Sequence, residues 1–240
     1  MTQPSRITSF DLPPGRLIAS KYEVIEKLGA GWEGEVYKVI ERRTGVRRAA
    51  KLFYPHRNLK DRAVLYYAQK LDRLRDCSIL IQYHNSETFR HRGSPITCLI
   101  SDYVEGEILA DMLARQPRGR MHHFEAMHLL HTLASGVEQI HRQREYHGDL
   151  HDGNVMVARR GVFFDVKLVD FYHWGRPSAA NIRHDVVCLV RILYDAVGGR
   201  DAYAKQPQEI KDICKGMRRD LIEKAFPTAG RLREHLEGAR

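Results

Sequence analysis

The rhythm of hydrophobic and polar positions changes near the middle of the chain. Residues 22–27 alternate with a period of two, glycines interrupt at 29–34, and alternation resumes over 35–40, which predicts a hairpin with a glycine-rich tip. Thr44-Gly45 marks a second turn, and residues 48–54 read as a third strand. Residues 58–76 carry Leu65, Ala68, Leu71 and Leu74 at spacings of three or four, a helical pattern. Residues 79–83 and 96–103 read as further strands, with Gly93-Ser94-Pro95 between them. After Gly106 helical spacing takes over. Residues 108–115 predict a short helix, and residues 123–142 a longer one with Phe124, Met127, Leu130, Ala134, Val137 and Ile140 on one face. Two short strands, 155–158 and 163–169, flank a turn at Arg160-Gly161. An apolar helix over 185–197 ends at Gly198-Gly199, and helical stretches near 208–226 and 228–236 complete the pattern. Strands come first and helices second. The expected class is α+β: a small β-rich lobe over 21–104 and a reduced helical lobe over 105–240. Residues 1–20, with Pro4, Pro13, Pro14 and Gly15, read as an arm or poorly ordered lead-in.

Composition narrows the class. The chain has 240 residues, 43% hydrophobic and 29% charged, enough for one sizeable core or two small lobes. No apolar run reaches the ~18 residues of a membrane helix, and residues 1–20 lack an apolar signal core. Cys77, Cys98, Cys188 and Cys214 form no CxxC pair, which argues against a disulfide framework or a zinc site and fits a reducing cytoplasm. The net charge is +9. Arg42, Arg43, Arg47, Arg48, Lys51, Arg57 and Lys60 crowd into residues 41–60 against one acid, Glu41. Such a run suits an anionic ligand or an acidic partner, or simply a solvated basic face. No zinc-finger or RNA-binding signature accompanies it, so nucleic acid is not the expected partner.

Four segments carry chemistry. Gly29-Ala30-Gly31-Trp32-Glu33-Gly34 joins two strands rather than a strand and a helix, which argues against a dinucleotide fold. Such a loop can lie over phosphates without Cβ obstruction and offer backbone N–H groups, though glycines also serve ordinary turns. Lys51 falls in an apolar strand, where an ammonium needs an anion. His147-Gly148-Asp149-Leu150-His151-Asp152-Gly153-Asn154 places Asp149 and Asn154 five apart in a polar loop, and Asp170-Phe171 follows a strand. Carboxylate and amide oxygens suit Mg²⁺. His122, His123, His128 and His131 read as solvated or satisfied histidines rather than metal ligands.

Together, in this order, these segments resemble the protein-kinase superfamily from about Tyr22 onward. The resemblance implies a bilobal fold binding ATP and Mg²⁺. Gly29, Gly31, Gly34 and Val36 match the glycine-rich loop, and Lys51 the phosphate-anchoring lysine. Asp102-Tyr103-Val104-Glu105-Gly106 resembles the adenine-binding hinge, with Ser101 at the gatekeeper place. Leu28, Val36, Ala49 and Met156 would sandwich adenine. Asn154 and Asp170 would bind Mg²⁺. Asp149 would orient the acceptor hydroxyl and take its proton, His151 would support the γ-phosphate, and Asp185 would anchor the catalytic loop. The implied activity is Ser/Thr protein phosphorylation. The alternatives are a small-molecule or glycolipid kinase, which His-Gly-Asp-Leu-His-x-x-Asn also resembles, and a nucleotide-binding pseudokinase acting as an interaction module. The small size and this loop suggest a bacterial source.

Some positions depart from the family pattern. Gly148 replaces the usual arginine, Tyr172 stands where glycine is usual, and only 15 positions separate Asp170 from Asp185, without Ala-Pro-Glu. Activity is therefore expected to be independent of loop phosphorylation. The helix at 58–76 contains no glutamate to pair with Lys51; Gln69, Asp61 and Asp72 are the candidate substitutes.

Overall fold

A computed structural model describes residues 6–161, 163–172 and 175–238; Pro4 of the predicted arm lies outside them. The chain forms two compact units, residues 1–75 with 81–104, and residues 76–80 with 105–240.

The first unit is built on a sheet whose members, in chain order, are β1 (Leu17–Ile18), β2 (Tyr22–Ala30), β3 (Gly34–Glu41), β4 (Arg47–Phe53), β5 (Tyr83–His91) and β6 (Ser94–Asp102), with helix α1 (Arg62–Arg73) between β4 and β5. Their spatial order is β1-β2-β3-β4-β6-β5, with antiparallel neighbours throughout. Side chains of directly opposed residues share a face. The pairs Val36↔Lys51, Lys38↔Ala49 and Ala49↔Ser101 therefore define one face. Tyr37, Val39, Ala50 and Leu52 define the other, which is a closed core.

Residues 6–20 overturn the expectation of a loose lead-in. Ile7, Phe10, Leu12 and Ile18 are buried in that core, and Leu17 and Ile18 pair with β2. The segment lacks a periodic pattern because most of it packs as irregular chain. Its attachment is polar as well as apolar. Glu35, 1% exposed, accepts hydrogen bonds from the Ser9 hydroxyl (3.1 Å) and the Phe10 N–H (3.2 Å), and pairs with Lys27 at 2.9 Å. Tyr37 and Tyr54 also donate to it.

The helix predicted over 58–76 is shorter, Arg62–Arg73, and buries Val64, Tyr67 and Leu71, while Leu65 is exposed. Aromatic Tyr67 rather than Leu65 sets the inward direction. The strand predicted at 79–83 is misplaced. Ile79 and Leu80 belong to the second unit, where Leu168 donates its N–H to the Ile79 carbonyl (2.8 Å) and Leu80 bridges Leu168. The strand itself, β5, is an edge strand with polar, half-exposed residues, and so lacks the apolar signal. Pro95 is tolerated in β6 because it lies outside the stretch paired with β4.

The second unit contains a small antiparallel sheet of β7 (Glu107–Ile108), β8 (Val155–Arg160) and β9 (Phe163–Leu168), and the helices α2 (Leu109–Arg115), α3 (His123–Arg142), α4 (Ala179–Ala196), α5 (Gly199–Tyr203), α6 (Gln208–Cys214), α7 (Arg219–Ala225) and α8 (Ala229–Gly238). Its core joins Leu130, Leu133, Val137 and Ile140 of α3 to Val186, Leu189, Val190 and Leu193 of α4. Phe124, at the start of the predicted α3 face, is exposed. Helix α4 begins before the predicted Asp185, with Ser178 accepting from the Asn181 N–H as its N-cap. The four thiols are free, and burial pushes Cys98 and Cys214 up to about 12 and Cys188 to about 11. Among the described residues no helix is long and apolar enough to cross a membrane.

Candidate active site

Of the residues singled out by sequence, Leu28, Gly29, Gly31, Gly34, Val36, Ala49, Lys51, Asp102 and Val104 lie in the first unit. Asp149, His151, Asn154, Met156 and Asp170 lie in the second.

In the first unit, the sheet face opposite the closed core gathers Val36, Ala49, Lys51 and Ser101 at opposed register positions. Gly29 is paired with Val36. Leu28 sits at the irregular register between Lys27 and Gly29 and is exposed. The three glycines do different work. The Gly31 N–H closes the hairpin by donating to the Gly34 carbonyl (2.8 Å). Gly31 therefore contributes room rather than a free donor. No atom lies within 4 Å of a Cβ built on Gly29 or Gly31, whereas one built on Gly34 would meet the Leu52 carbonyl oxygen at 1.8 Å. Gly34 is thus demanded by strand packing. Asp102, expected at the hinge, uses its carboxylate across the strands, on Arg48 (2.9 Å) and His84 (2.6 Å). Val104 is half-buried.

Lys51 meets a partner that sequence reasoning missed. Its ammonium lies 3.2 Å from a carboxylate oxygen of Glu33, inside the glycine-rich loop. The same oxygen accepts from the Tyr67 hydroxyl of α1 at 2.7 Å, and Lys51 lies 4.2 Å from the centre of the Tyr67 ring. The proposed substitutes are placed elsewhere. Gln69 is exposed, Asp61 accepts from Asn58 (2.8 Å) and Thr97 (2.9 Å), and Asp72 pairs with Arg75. Register gave a partial signal, since Gly34 opposes Phe53 and so places Glu33 beside the end of β4. The direction of a turn side chain is not encoded by alternation.

In the second unit, the catalytic-loop candidates are tied to the Asp170 segment. The Asn154 amide donates to the Asp149 carbonyl (2.8 Å) and to its carboxylate (3.1 Å). The Val169 N–H donates to the Asn154 carbonyl (3.0 Å), His147 Nε2 donates to the Val169 carbonyl (3.1 Å), and the Tyr172 N–H donates to the His147 carbonyl (3.1 Å). His147 also packs its ring on Phe171. Asp149 and Asp170 remain exposed at this junction. Asp170 adopts φ +53°, a left-handed conformation uncommon for a residue with a Cβ. His151 is exposed; its Nδ1 accepts from the Gly153 N–H (3.0 Å) and its Nε2 is 3.8 Å from the Asp149 carboxylate. Met156 is half-buried in β8.

Asp185 holds this loop from its buried side. Its carboxylate accepts the N–H groups of His147 (2.7 Å) and Gly148 (2.9 Å) and meets His141 Nε2 at 3.1 Å. Burial pushes its pKa up, but the His141 contact and the backbone donors outweigh it and hold the carboxyl below its ordinary value. Gly148 supplies φ +87°, which the arginine usual at this place would adopt only with strain.

The donor set at the junction is a carboxylate and a carboxamide, both hard oxygen ligands. This suits Mg²⁺, which commonly takes one or two protein oxygens and completes its shell with water and phosphate. Among the described residues no cluster of three His, Cys, Asp or Glu surrounds a common point. The helix-borne histidines have other contacts: His122 caps the Phe124 N–H, His128 packs on Phe124, and His131 meets Glu237 at 3.0 Å.

Comparison with known proteins identifies the family. The protein kinase domain family matches residues 22–187. A cyclin-dependent kinase F-2 candidate of Oryza sativa subsp. japonica is 30% identical over 179 residues, 73% of this chain and 54% of that protein. The serine/threonine-protein kinase pkn2 of Myxococcus xanthus is 28% identical over 165 residues, covering 66% and 19%. Cyclin-dependent kinase 9 of Homo sapiens is 30% identical over 171 residues, covering 63% and 41%. The chain spans about half the length of these relatives or less. They come from a plant, a bacterium and an animal, so the likeness does not single out a bacterial source. On the match across 22–187 and the loop geometry together, the chain belongs to the protein kinase family.

Proposed function

We propose that this chain is an ATP-dependent Ser/Thr protein kinase. The observation that carries the reading is the exposed Asp149 carboxylate, held by Asn154 and fixed beside the Asp170 segment. A carboxylate so placed can orient an acceptor hydroxyl and take its proton. Lys51 and the glycine-rich loop would hold the phosphates; Leu28, Val36, Ala49 and Met156 would flank adenine, and the backbone at Asp102–Val104 would bind its edge. Mg²⁺, held by Asp170 and Asn154, would neutralise charge on the transferred group. His151 would support the γ-phosphate. A second reading, a kinase of small molecules, draws on the short stretch between Asp170 and the start of α4 at Ala179, which leaves little chain for a peptide platform.

The test is ADP release and intact mass after incubation with Mg-ATP, beside Asp149→Asn. We expect turnover in the wild type and a loss of about 10²-fold or more in the variant. Equal turnover in both would remove Asp149 from the mechanism, and absence of nucleotide-dependent thermal stabilisation would overturn the ATP reading.

A further inference from the structure

We propose that Glu33, at the tip of the glycine-rich loop, is the carboxylate that positions Lys51, with Tyr67 of α1 as its support. This inference rests on the kinase reading above. A lysine that must hold phosphate needs its ammonium kept in one place, because its four-carbon stem is otherwise free to turn. A helix carboxylate is the usual device, and α1 carries no glutamate.

The geometry shows where the substitute comes from. Glu33 Oε2 is shared between the Lys51 ammonium (3.2 Å) and the Tyr67 hydroxyl (2.7 Å). Tyr67 is a buried residue of α1 and fixes the carboxylate from the helix side, while its ring lies beneath the ammonium at 4.2 Å. Phe53, beside Lys51 on the same strand, packs on Tyr67 with ring centres 5.7 Å apart. Glu33 is itself anchored by its backbone, its carbonyl accepting from the Tyr54 N–H at 2.9 Å. The neighbouring Trp32 stacks on the Arg57 guanidinium at 3.7 Å. A loop tip held at two successive residues is a suitable platform for a positioning side chain.

The test uses the full chain with Glu33→Gln, Tyr67→Phe, Tyr67→Glu and the double variant Glu33→Gln/Tyr67→Glu. Glu33→Gln should lower kcat about tenfold with a smaller change in KM for ATP. Tyr67→Phe should do the same to a lesser degree. The double variant, which returns a carboxylate to α1, should recover most of the lost kcat; a merely structural role for Glu33 would not be rescued this way. A ligand-independent readout is the rate at which an amine-acylating reagent modifies Lys51, followed by peptide mass spectrometry. Glu33→Gln should raise this rate several-fold, because the amine loses the carboxylate of Glu33 as a partner. An unchanged labelling rate, or a tighter affinity for Mg-ATP with kcat intact, overturns the proposal. The second outcome would make Glu33 an occluding group. Should the wild type show no turnover, the kinase reading fails separately, and the labelling rate still decides whether Glu33 holds Lys51.

Discussion

At the residue scale, the two glutamates flanking Gly34 show how much depends on surroundings. Glu35 lies in a strand whose alternation is plain in the sequence, yet alternation says nothing of a carboxylate at an inward position. Burial pushes its pKa up; the hydrogen bonds from Lys27, Tyr37, the Phe10 N–H and Ser9 outweigh this and bring it below its ordinary 4.5. A group with a depressed folded pKa stabilises above its unfolded value, and that contribution is lost as pH falls through the folded one. Stability should therefore decline as pH drops below about 4.5, and the Glu35→Gln variant should show a weaker decline in urea titrations across that range. At neutral pH, Glu35→Ala should cost about 2–4 kcal/mol, because it takes the acceptor from the Tyr37 and Tyr54 hydroxyls and the Phe10 N–H. A loss below about 0.5 kcal/mol would contradict the network. Asp149, Asn154, Asp170 and Lys51 could be singled out from residue type and spacing, and the roles proposed for them come from the kinase resemblance. Glu33 was not, because its role depends on a side-chain direction within a turn.

At the scale of elements, helix α3 and the glycine hairpin were read nearly to the residue. Strong periodicity and the glycine interruption at 29–34 leave few alternatives there. Strand β5 was missed because an edge strand has one exposed face and tolerates polar residues throughout. The hairpin glycines supply a discriminating prediction. Gly31→Ala should leave the thermal midpoint nearly unchanged, since the added methyl meets open space. Gly34→Ala should destabilise by about 3 kcal/mol or more, or prevent folding, since its methyl would sit on the Leu52 carbonyl and part β3 from β4. Similar midpoints for the two variants would show that the β3–β4 approach is looser than described.

For the molecule as a whole, the change from strands to helices was visible in the pattern. The thermodynamic weight of residues 6–20 was not, because most of it lies in irregular chain. Removing residues 1–12 would take Ile7, Phe10 and Leu12 from the core of the first unit and two donors from Glu35. At about 1.5–3 kcal/mol for each large apolar side chain, the truncated chain should melt about 10 °C or more below the full chain. Calorimetry of both would check this, and equal midpoints would return the segment to the status of a loose arm.

The tripeptide Glu33-Gly34-Glu35 also acts as a mechanical part. One end grips Lys51, the middle bears on the backbone of β4, and the other end grips residues 9–10 across the sheet. Such a rocker has little slack, since Gly34 lies against its neighbour without space to yield. Tension applied to the N-terminal segment is delivered to Glu35, and from there two peptide bonds lead to the residue that steadies the lysine. Whatever pulls on residues 6–12 pulls on the segment that pairs with Lys51.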